Sequence, residues 1–219
     1  MYRAYEIRRA LLSLFLPNRC PFCDDVVGMT RYWCEDCYSK LPFVEETPQP
    51  PEHLDGLLTC CYYSGRARSA VLRMKDGFYA YAPEAFAVMM TELVGGLMPR
   101  VDIVTGIPST TGRRFRLGYA QAEKIARDIA MRSGKPFRRL LKVSKGKKEQ
   151  KRLNKAERLE NARNSYKIAD KEYISEKIIL LVDDVTTTGA TLSATAKLLK
   201  QAGARAVFAV TFAKTRQKQ

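Results

Sequence analysis

The chain has 219 residues, 46% of them hydrophobic, and 38 Lys and Arg residues against 23 Asp and Glu give a formal net charge of +15. This length allows one α/β domain with a small appendage, and the hydrophobic fraction supports a packed core. No apolar run is long enough to span a bilayer, which excludes a membrane-spanning segment. The positive charge predicts an anionic partner, either nucleic acid or a multiply phosphorylated substrate.

The N-terminal segment is basic and then apolar. Residues 4–16 predict an amphipathic helix, because the apolar stretch at 11–16 is too short for the hydrophobic region of a signal peptide. No small-residue cleavage site follows that stretch. We therefore expect a cytoplasmic protein.

Four cysteines follow in two C-x-x-C pairs, Cys20 with Cys23 and Cys34 with Cys37, with ten residues between the pairs. Four thiolates in this arrangement match a closed tetrahedral zinc site, whose metal supplies folding energy that a module of about 30 residues lacks. Two redox pairs are the competing interpretation, but no thioredoxin-like pattern surrounds them. The sequence therefore predicts structural Zn²⁺ in a module at residues 1–46.

A proline-rich stretch at residues 47–55 predicts a stiff linker to a second domain at residues 56–219. In that domain strands alternate with helices, which predicts an α/β fold with a mostly parallel sheet flanked by helices. The predicted strands lie at residues 57–63, 101–105, 139–143, 165–168, 177–182 and 206–212. The predicted helices lie at residues 66–75, 83–97, 119–133, 156–162 and 190–201.

The most informative segment lies at residues 178–191. Five apolar residues predict a central strand buried on both faces, which we expect to end at Asp183 and Asp184. A turn rich in hydroxyl groups follows, and a helix begins at Ala190. Backbone N–H groups and a helix N-terminus thus meet at the carboxyl end of a strand, a geometry that suits a phosphate.

The residue types in this segment suit a ribose 5-phosphate. Asp183 and Asp184 are good partners for sugar hydroxyls and can help to hold Mg²⁺, whereas threonine hydroxyls donate to phosphate oxygens and Gly189 lets the backbone approach. The alternative is a buried strand that ends in a solvated acidic turn. The candidate ligand-binding residues are Asp183, Asp184, Val185, Thr186, Thr187, Thr188, Gly189, Ala190 and Thr191.

A second strand-end loop follows the strand at residues 101–105. It contains Pro108, Ser109 and Thr110, and then Arg113 and Arg114. Taken alone, an exposed turn with incidental arginines is an equally good interpretation. Paired with the acidic segment in one sheet, the loop is better explained as the holder of a second phosphate group of the same ligand.

A basic run lies at residues 138–158, where ten Lys and Arg residues stand against two Glu residues. Such a run is usually a solvated face. Its position between predicted elements favours a mobile cationic loop, of which residues 145–152 would close over the site as a lid. Clustered cations would equally suit the phosphates of single-stranded DNA.

The segment at residues 183–191 resembles the loop of type I phosphoribosyltransferases that binds 5-phosphoribosyl-1-pyrophosphate (PRPP). With the four cysteines, the chain as a whole resembles the ComF family, which are competence-associated, phosphoribosyltransferase-like proteins with an N-terminal zinc module. Further matches lie at residues 63–65, 72–75, 118–122, 150–153 and 158–161.

The resemblance implies an enzyme, a Mg²⁺-dependent phosphoribosyltransferase that takes PRPP or another phosphorylated ribose and acts in natural competence or DNA uptake. Pyrophosphate leaves ribose C1 in such a reaction while a nucleophile attacks, so positioning and electrostatics dominate catalysis. The resemblance assigns catalytic roles to Asp183, Asp184, Arg113 and Arg114. It implies PRPP contacts at Pro108, Ser109 and Thr110, besides the segment at residues 183–191.

The alternative function is an accessory protein that binds single-stranded DNA and other competence proteins and keeps a PRPP-type pocket without turnover. The basic surplus supports this function as readily as the enzyme, because counterion release needs only clustered Lys and Arg. The acceptor substrate and the oligomeric state stay open at this point.

Overall fold

The computed structural model describes residue 7 and residues 17–76, 81–109, 120–144 and 165–216. Its helices are α1 (Glu35–Ser39), α2 (Gly65–Asp76), α3 (Ala82–Leu93), α4 (Gln121–Arg132) and α5 (Ala190–Gln201), with a 3₁₀ turn at Met98–Arg100. Its strands are β1 (Gly56–Tyr62), β2 (Ile103–Gly106), β3 (Leu141–Val143), β4 (Tyr166–Ile168), β5 (Ile178–Thr186) and β6 (Ala206–Lys214). The helices predicted at residues 4–16 (apart from residue 7) and 156–162 lie outside the described residues.

Four strands form a parallel sheet in the order β1-β6-β5-β2, and β3 and β4 form a separate antiparallel pair. The predicted α/β class with a mostly parallel sheet is thus confirmed. The apolar residues 178–182 of β5 are all buried, as a central parallel strand requires. No helix among the described ranges is long and apolar enough to cross a membrane.

Helices cover both faces of this sheet. Leu180 and Val182 of β5 belong to a core shared with α2, α3 and α4, whereas Ile179 and Leu181 belong to a second core shared with α5. Because successive side chains of a strand point to opposite faces, these two cores lie on opposite sides of the sheet.

Two predicted boundaries differ more than the others from those of the structure. The helix predicted at residues 83–97 ends at Leu93, and the chain turns at the two glycines that follow. β5 does not end before its acidic pair, Asp183 and Asp184, but runs on to Thr186. The reason is that Val185 and Thr186 still pair with Ala213 and Lys214 of β6. Backbone pairing continues here although the side chains have become polar.

The direction of strand addition reverses beside β2. On one side β2 pairs with β5, and on its other side Val104 forms a parallel bridge with Phe137, which follows α4. Open α/β sheets bind their ligands at the carboxyl ends of the strands at such a reversal. The topology therefore places the expected site where β2 ends at Gly106 and β5 ends at Thr186.

The cysteine-rich segment, residues 17–46, packs on the sheet face that carries α2, α3 and α4. The Phe22 ring lies 6.4 Å, between centroids, from both Phe86 of α3 and Phe212 of β6. Cys20 and Cys37 are fully buried in the same core. The two parts of the chain therefore share one hydrophobic core, and the boundaries at residues 1–46, 47–55 and 56–219 stay predictions.

The end of the cysteine-rich segment also runs along the free side of β1. Phe43 forms an antiparallel bridge with Cys61. The Val44 N–H donates to the Cys60 carbonyl at 3.0 Å, and the Tyr62 N–H donates to the Pro42 carbonyl at 2.7 Å.

We predict that Phe22→Ala destabilises the whole chain by about 3–5 kcal/mol, because it leaves a cavity in the shared core. The free energy of unfolding, measured by urea denaturation with zinc content checked, tests this. The control is Phe43→Ala, whose side chain is 38% exposed; we expect it to cost less than about 1 kcal/mol. A small effect of Phe22→Ala would contradict the shared core.

Candidate functional site

The two carboxylates lie inside β5, near its carboxyl end. Oδ1 of Asp183 accepts the Asp184 N–H at 2.9 Å, and Oδ1 of Asp184 accepts the Val185 N–H at 2.9 Å. Oδ2 of Asp184 forms an ion pair with Nζ of Lys75 at 3.0 Å. Both oxygens of Asp184 are therefore oriented before any ligand arrives.

Burial and the neighbouring Asp184 carboxylate raise the pKa of Asp183 well above its ordinary value. Desolvation and a like charge both disfavour the ionised form, and Lys75 offsets only part of this effect. A sugar hydroxyl can donate to either carboxylate. A cation bound beside the pair would favour ionisation of both.

The threonine-rich segment joins β5 to α5. Thr186 is buried at the end of the strand, Thr187 and Thr188 are exposed, and Ala190 and Thr191 are half-buried at the helix start. The Ala190 N–H donates to Oγ1 of Thr188 at the long distance of 3.4 Å. The first-turn N–H groups of α5 thus lie beside exposed hydroxyls, an arrangement that suits an anion.

Gly189 precedes α5 with φ of 75°, in the left-handed region. A β-carbon at this position would overlap the Pro51 ring. Glycine is therefore required twice, by the backbone conformation and by the close approach of the linker.

A cavity of about 570 Å³ opens beside the threonines, within the size range of small-molecule sites. It is lined by Pro48, Gln49, Pro50, Pro51, Leu57, Tyr62, Thr186, Thr187, Thr188, Gly189, Lys214, Thr215 and Arg216. These described lining residues include two cations and no carboxylate. The cavity therefore favours an anionic group.

The cationic wall of this cavity is joined to the threonine segment. The Thr215 N–H donates to the Thr186 carbonyl at 3.1 Å, which ties the end of β6 to the end of β5. The Arg216 guanidinium and Nζ of Lys214 lie 4.6 and 5.4 Å from the centroid of the Tyr62 ring. Cation–π attraction holds both positive charges at this edge of the sheet.

The second predicted loop begins next to the acidic pair. The Ile107 N–H donates to the Val182 carbonyl at 2.9 Å, so Pro108 and Ser109 follow directly beside β5. Oγ of Ser109 is buried, and the described residues provide it with no hydrogen-bond partner. The remaining predicted residues of this loop, Thr110, Arg113 and Arg114, lie outside the described residues.

Only the start of the basic run belongs to the described part of the chain. Nε of Arg139 donates to Glu123 of α4 at 2.8 Å, and the Arg138 guanidinium lies 4.9 Å from the Tyr173 ring centroid. Neither residue lines the cavity. The lid at residues 145–152 stays a prediction.

The four predicted zinc ligands come together. The sulfur atoms of Cys20, Cys23, Cys34 and Cys37 all lie within 4.8 Å of one another, and those of Cys23 and Cys34 are 3.7 Å apart. A tetrahedral site with Zn–S bonds of about 2.3 Å separates its sulfurs by roughly 3.8 Å. The donor set and its spacing therefore fit zinc.

Crowding of these thiols affects their ionisation. Burial and hydrogen bonding to Cys34 raise the pKa of Cys37 to about 11, so the metal-free Cys37 thiol resists ionisation. A bound dication reverses this preference by holding the ligands as thiolates.

Sequence reasoning missed Lys75, Lys214, Arg216 and the wall formed by the linker. Lys214 and Arg216 follow the last predicted strand, and the carboxyl end of a strand was a signal that would have drawn attention to them. Lys75 belongs to a stretch that resembles the ComF family, but its contact with Asp184 depends on tertiary packing.

Comparison with known proteins gives separate matches for the cysteine-rich part and the α/β part of the chain. Residues 116–219 match the phosphoribosyl transferase domain family, and residues 11–48 match the double zinc ribbon domain family. Competence protein F of Haemophilus influenzae is 30% identical over 104 residues, which are 47% of this chain and 45% of that protein. The chain thus spans about half the length of this curated relative. These matches fit a ComF-family protein.

Solved structures with low similarity include two phosphoribosyl enzymes. Glutamine PRPP amidotransferase from B. subtilis is 19% identical, with a TM-score of 0.43 over 59% of this chain and 25% of that chain. Purine phosphoribosyltransferase from Pyrococcus horikoshii is 16% identical, with a TM-score of 0.38 over 61% of this chain and 81% of that chain. The similarity to the ComF family rests on the domain matches and the competence relative.

We predict about one zinc ion per chain and loss of that ion in Cys34→Ser, because three thiolates leave a tetrahedral site open. Elemental analysis of the purified proteins measures this. Cys60→Ala is the control, since Cys60 is a buried thiol outside the cluster. Equal zinc content in Cys34→Ser and wild type would overturn the assignment.

We also predict that the stability of the Mg²⁺-free chain falls as pH rises above the ordinary Asp pKa of about 4. In that range the folded chain keeps the Asp183 proton, which the unfolded chain has released, until pH reaches the raised pKa. Asp183→Asn removes this titration and should lessen the fall of the unfolding free energy above about pH 4. Asp170→Asn, in the loop after β4, should keep the wild-type slope; a wild-type slope in Asp183→Asn as well would show that Asp183 titrates normally.

Proposed function

We propose that this chain is a phosphoribosyltransferase-like competence protein that binds Mg²⁺-PRPP in the crevice between the carboxyl ends of β2 and β5. The observation that carries the proposal is the meeting of three features at the reversal of strand order. They are an acidic pair, a hydroxyl-rich helix start, and the buried Ser109 hydroxyl, which has no hydrogen-bond partner among the described residues. Topology alone predicts a ligand there. The donor types narrow its chemistry to a phosphorylated sugar.

Each part of PRPP has a matching group. The 5-phosphate would lie at the start of α5, among the hydroxyls of Thr187 and Thr188, and the positive charges of Lys214 and Arg216 favour it there. The ribose diol would donate to Asp183 and Asp184. The pyrophosphate would face the loop after β2, where Ser109 stands and where Arg113 and Arg114 are expected.

This arrangement supports transfer chemistry through positioning. Bound Mg²⁺ supplies positive charge to the pyrophosphate and the ribose hydroxyls. The chain itself fixes the sugar through two carboxylates and fixes the 5-phosphate through hydroxyls and backbone N–H groups, so that C1 points toward an incoming nucleophile. Departure of pyrophosphate carries much of the reaction, and the described site accordingly needs no dedicated general base.

Binding of single-stranded DNA without turnover is the second candidate, and the net charge of +15 favours it. The two candidates differ in what the acidic pair does. Carboxylates that grip a ribose diol are needed for PRPP, whereas they repel a DNA backbone. Substitution of the pair therefore separates the two functions.

We predict that Asp183→Asn with Asp184→Asn abolishes calorimetric binding of Mg²⁺-PRPP, because each amide has one acceptor oxygen instead of two and no negative charge to attract the diol and Mg²⁺. Circular dichroism checks the fold, and Asp170→Asn serves as the matched control with wild-type affinity. For single-stranded DNA, the same double variant should keep or raise affinity. Wild-type PRPP binding in the double variant, or no binding by wild type, would refute the proposed function.

A further inference from the structure

Helix α2 carries three basic side chains that contact other parts of the chain. Near its start, Nη1 of Arg66 donates to Sγ of Cys37 at 3.0 Å and to the Asp36 carbonyl at 3.0 Å, and it pairs with the Asp36 carboxylate at 2.8 Å. In its last turn, Arg73 donates to the Phe22 carbonyl, and Lys75 pairs with Asp184. One helix thus contacts both the cysteine cluster and the acidic pair.

Helical geometry explains why one element reaches both sites. At 100° per residue, Arg66 and Arg73 fall about 20° apart around the helix axis, whereas Lys75 lies on the side roughly opposite to Arg66. The first two therefore face the cysteine-rich segment and the third faces β5. Lys75 follows Arg66 by nine residues, so the two side chains leave the helix about 13.5 Å apart along its axis.

Helix α2 is packed too tightly for its Arg66 end to move independently of its Lys75 end. Ala67, Ala70, Val71 and Met74 are all fully buried in the core that also holds Cys37 and Phe22. Interiors packed to this density transmit a displacement instead of absorbing it. A change at the Arg66 end is therefore expected to move the Lys75 end.

We propose that Lys75 is a positioning residue for Asp184, and that zinc ligation fixes the place of Lys75 through Arg66 and α2. This inference rests on the proposed function for its consequence, since Asp184 is taken to grip the ribose. Lys75 and the Val185 N–H occupy the two oxygens of Asp184, which holds the carboxylate in one orientation. The ion pair is partly buried, with side-chain exposures of 25% for Lys75 and 13% for Asp184.

Zinc would act at the Arg66 end of α2. Zinc ligation would hold Sγ of Cys37 in one place, and Nη1 of Arg66 donates to that atom at 3.0 Å. The metal would thereby anchor the start of α2. Without the metal Sγ of Cys37 is held less firmly, so both the Arg66 end and the Lys75 end of α2 are less well fixed.

The first test measures affinity for Mg²⁺-PRPP by calorimetry. Lys75→Gln should weaken binding about tenfold, which corresponds to about 1.4 kcal/mol, and Lys75→Arg should restore most of it because charge and reach are kept. Arg66→Gln, at the far end of the helix, should weaken binding in the same direction by a smaller factor. Arg68→Gln is the matched control, because Arg68 is exposed on the same helix and its guanidinium lies 6.0 Å from the centroid of the Tyr63 ring, away from both Cys37 and Asp184.

If Lys75 and Arg66 only stabilised the fold, their Gln variants would lower the free energy of unfolding without these losses of PRPP affinity. We therefore expect Lys75→Gln and Arg66→Gln to be non-additive in the double variant, since both act through the same helix. Full additivity, or equal affinity losses in Lys75→Gln and Lys75→Arg, would overturn the positioning role.

The second test needs no PRPP and so separates this inference from the proposed function. Hydrogen–deuterium exchange of the peptide covering residues 178–190 should quicken in Arg66→Gln with zinc still bound, whereas the β4 peptide should not change. Equilibrium competition with a zinc chelator should show weaker zinc binding in Arg66→Gln but not in Arg68→Gln. Unchanged exchange at residues 178–190 would overturn the link from zinc to Asp184, whatever the outcome with PRPP.

Discussion

The contact of Phe22 with Phe86 and Phe212 is the constraint on which the rest of the structure depends. A cysteine-rich segment of this length cannot build a core of its own, so it combines a metal site with burial against a larger domain. The sheet in turn gains a cover for the face that carries α2 and α3. The position of the cysteine cluster relative to the acidic pair follows from this packing.

The fold is largely readable from the sequence where a local pattern decides it. The apolar run at residues 178–182 identifies the central strand, and the helix at Ala190–Gln201 has the predicted bounds because a turn and periodic apolar residues mark it. The end of β5 is not readable in this way. Pairing with β6 extends the strand to Thr186, and side-chain pattern carries no information about backbone pairing with a partner strand.

The candidate site likewise contains residues that the sequence reveals and residues that only tertiary packing brings together. The four cysteines and the segment from Asp183 to Thr191 are contiguous motifs, so their residue types and spacing reveal them. Lys75 and Arg216 are single residues from distant segments, and only the packing of α2 and the pairing of β6 bring them to the site. Pro51 is a further case, since a linker composition predicts stiffness but not that the linker forms a cavity wall.

The bridge between Phe43 and Cys61 has a consequence for solubility. A parallel sheet ends in strands whose outer N–H and C=O groups invite pairing with another chain. Here the segment from Pro42 to Val44 covers the outer side of β1, and Phe137 covers the outer side of β2. The tail of the cysteine-rich segment therefore also protects an edge, and a chain shortened to begin at β1 would expose that edge to aggregation.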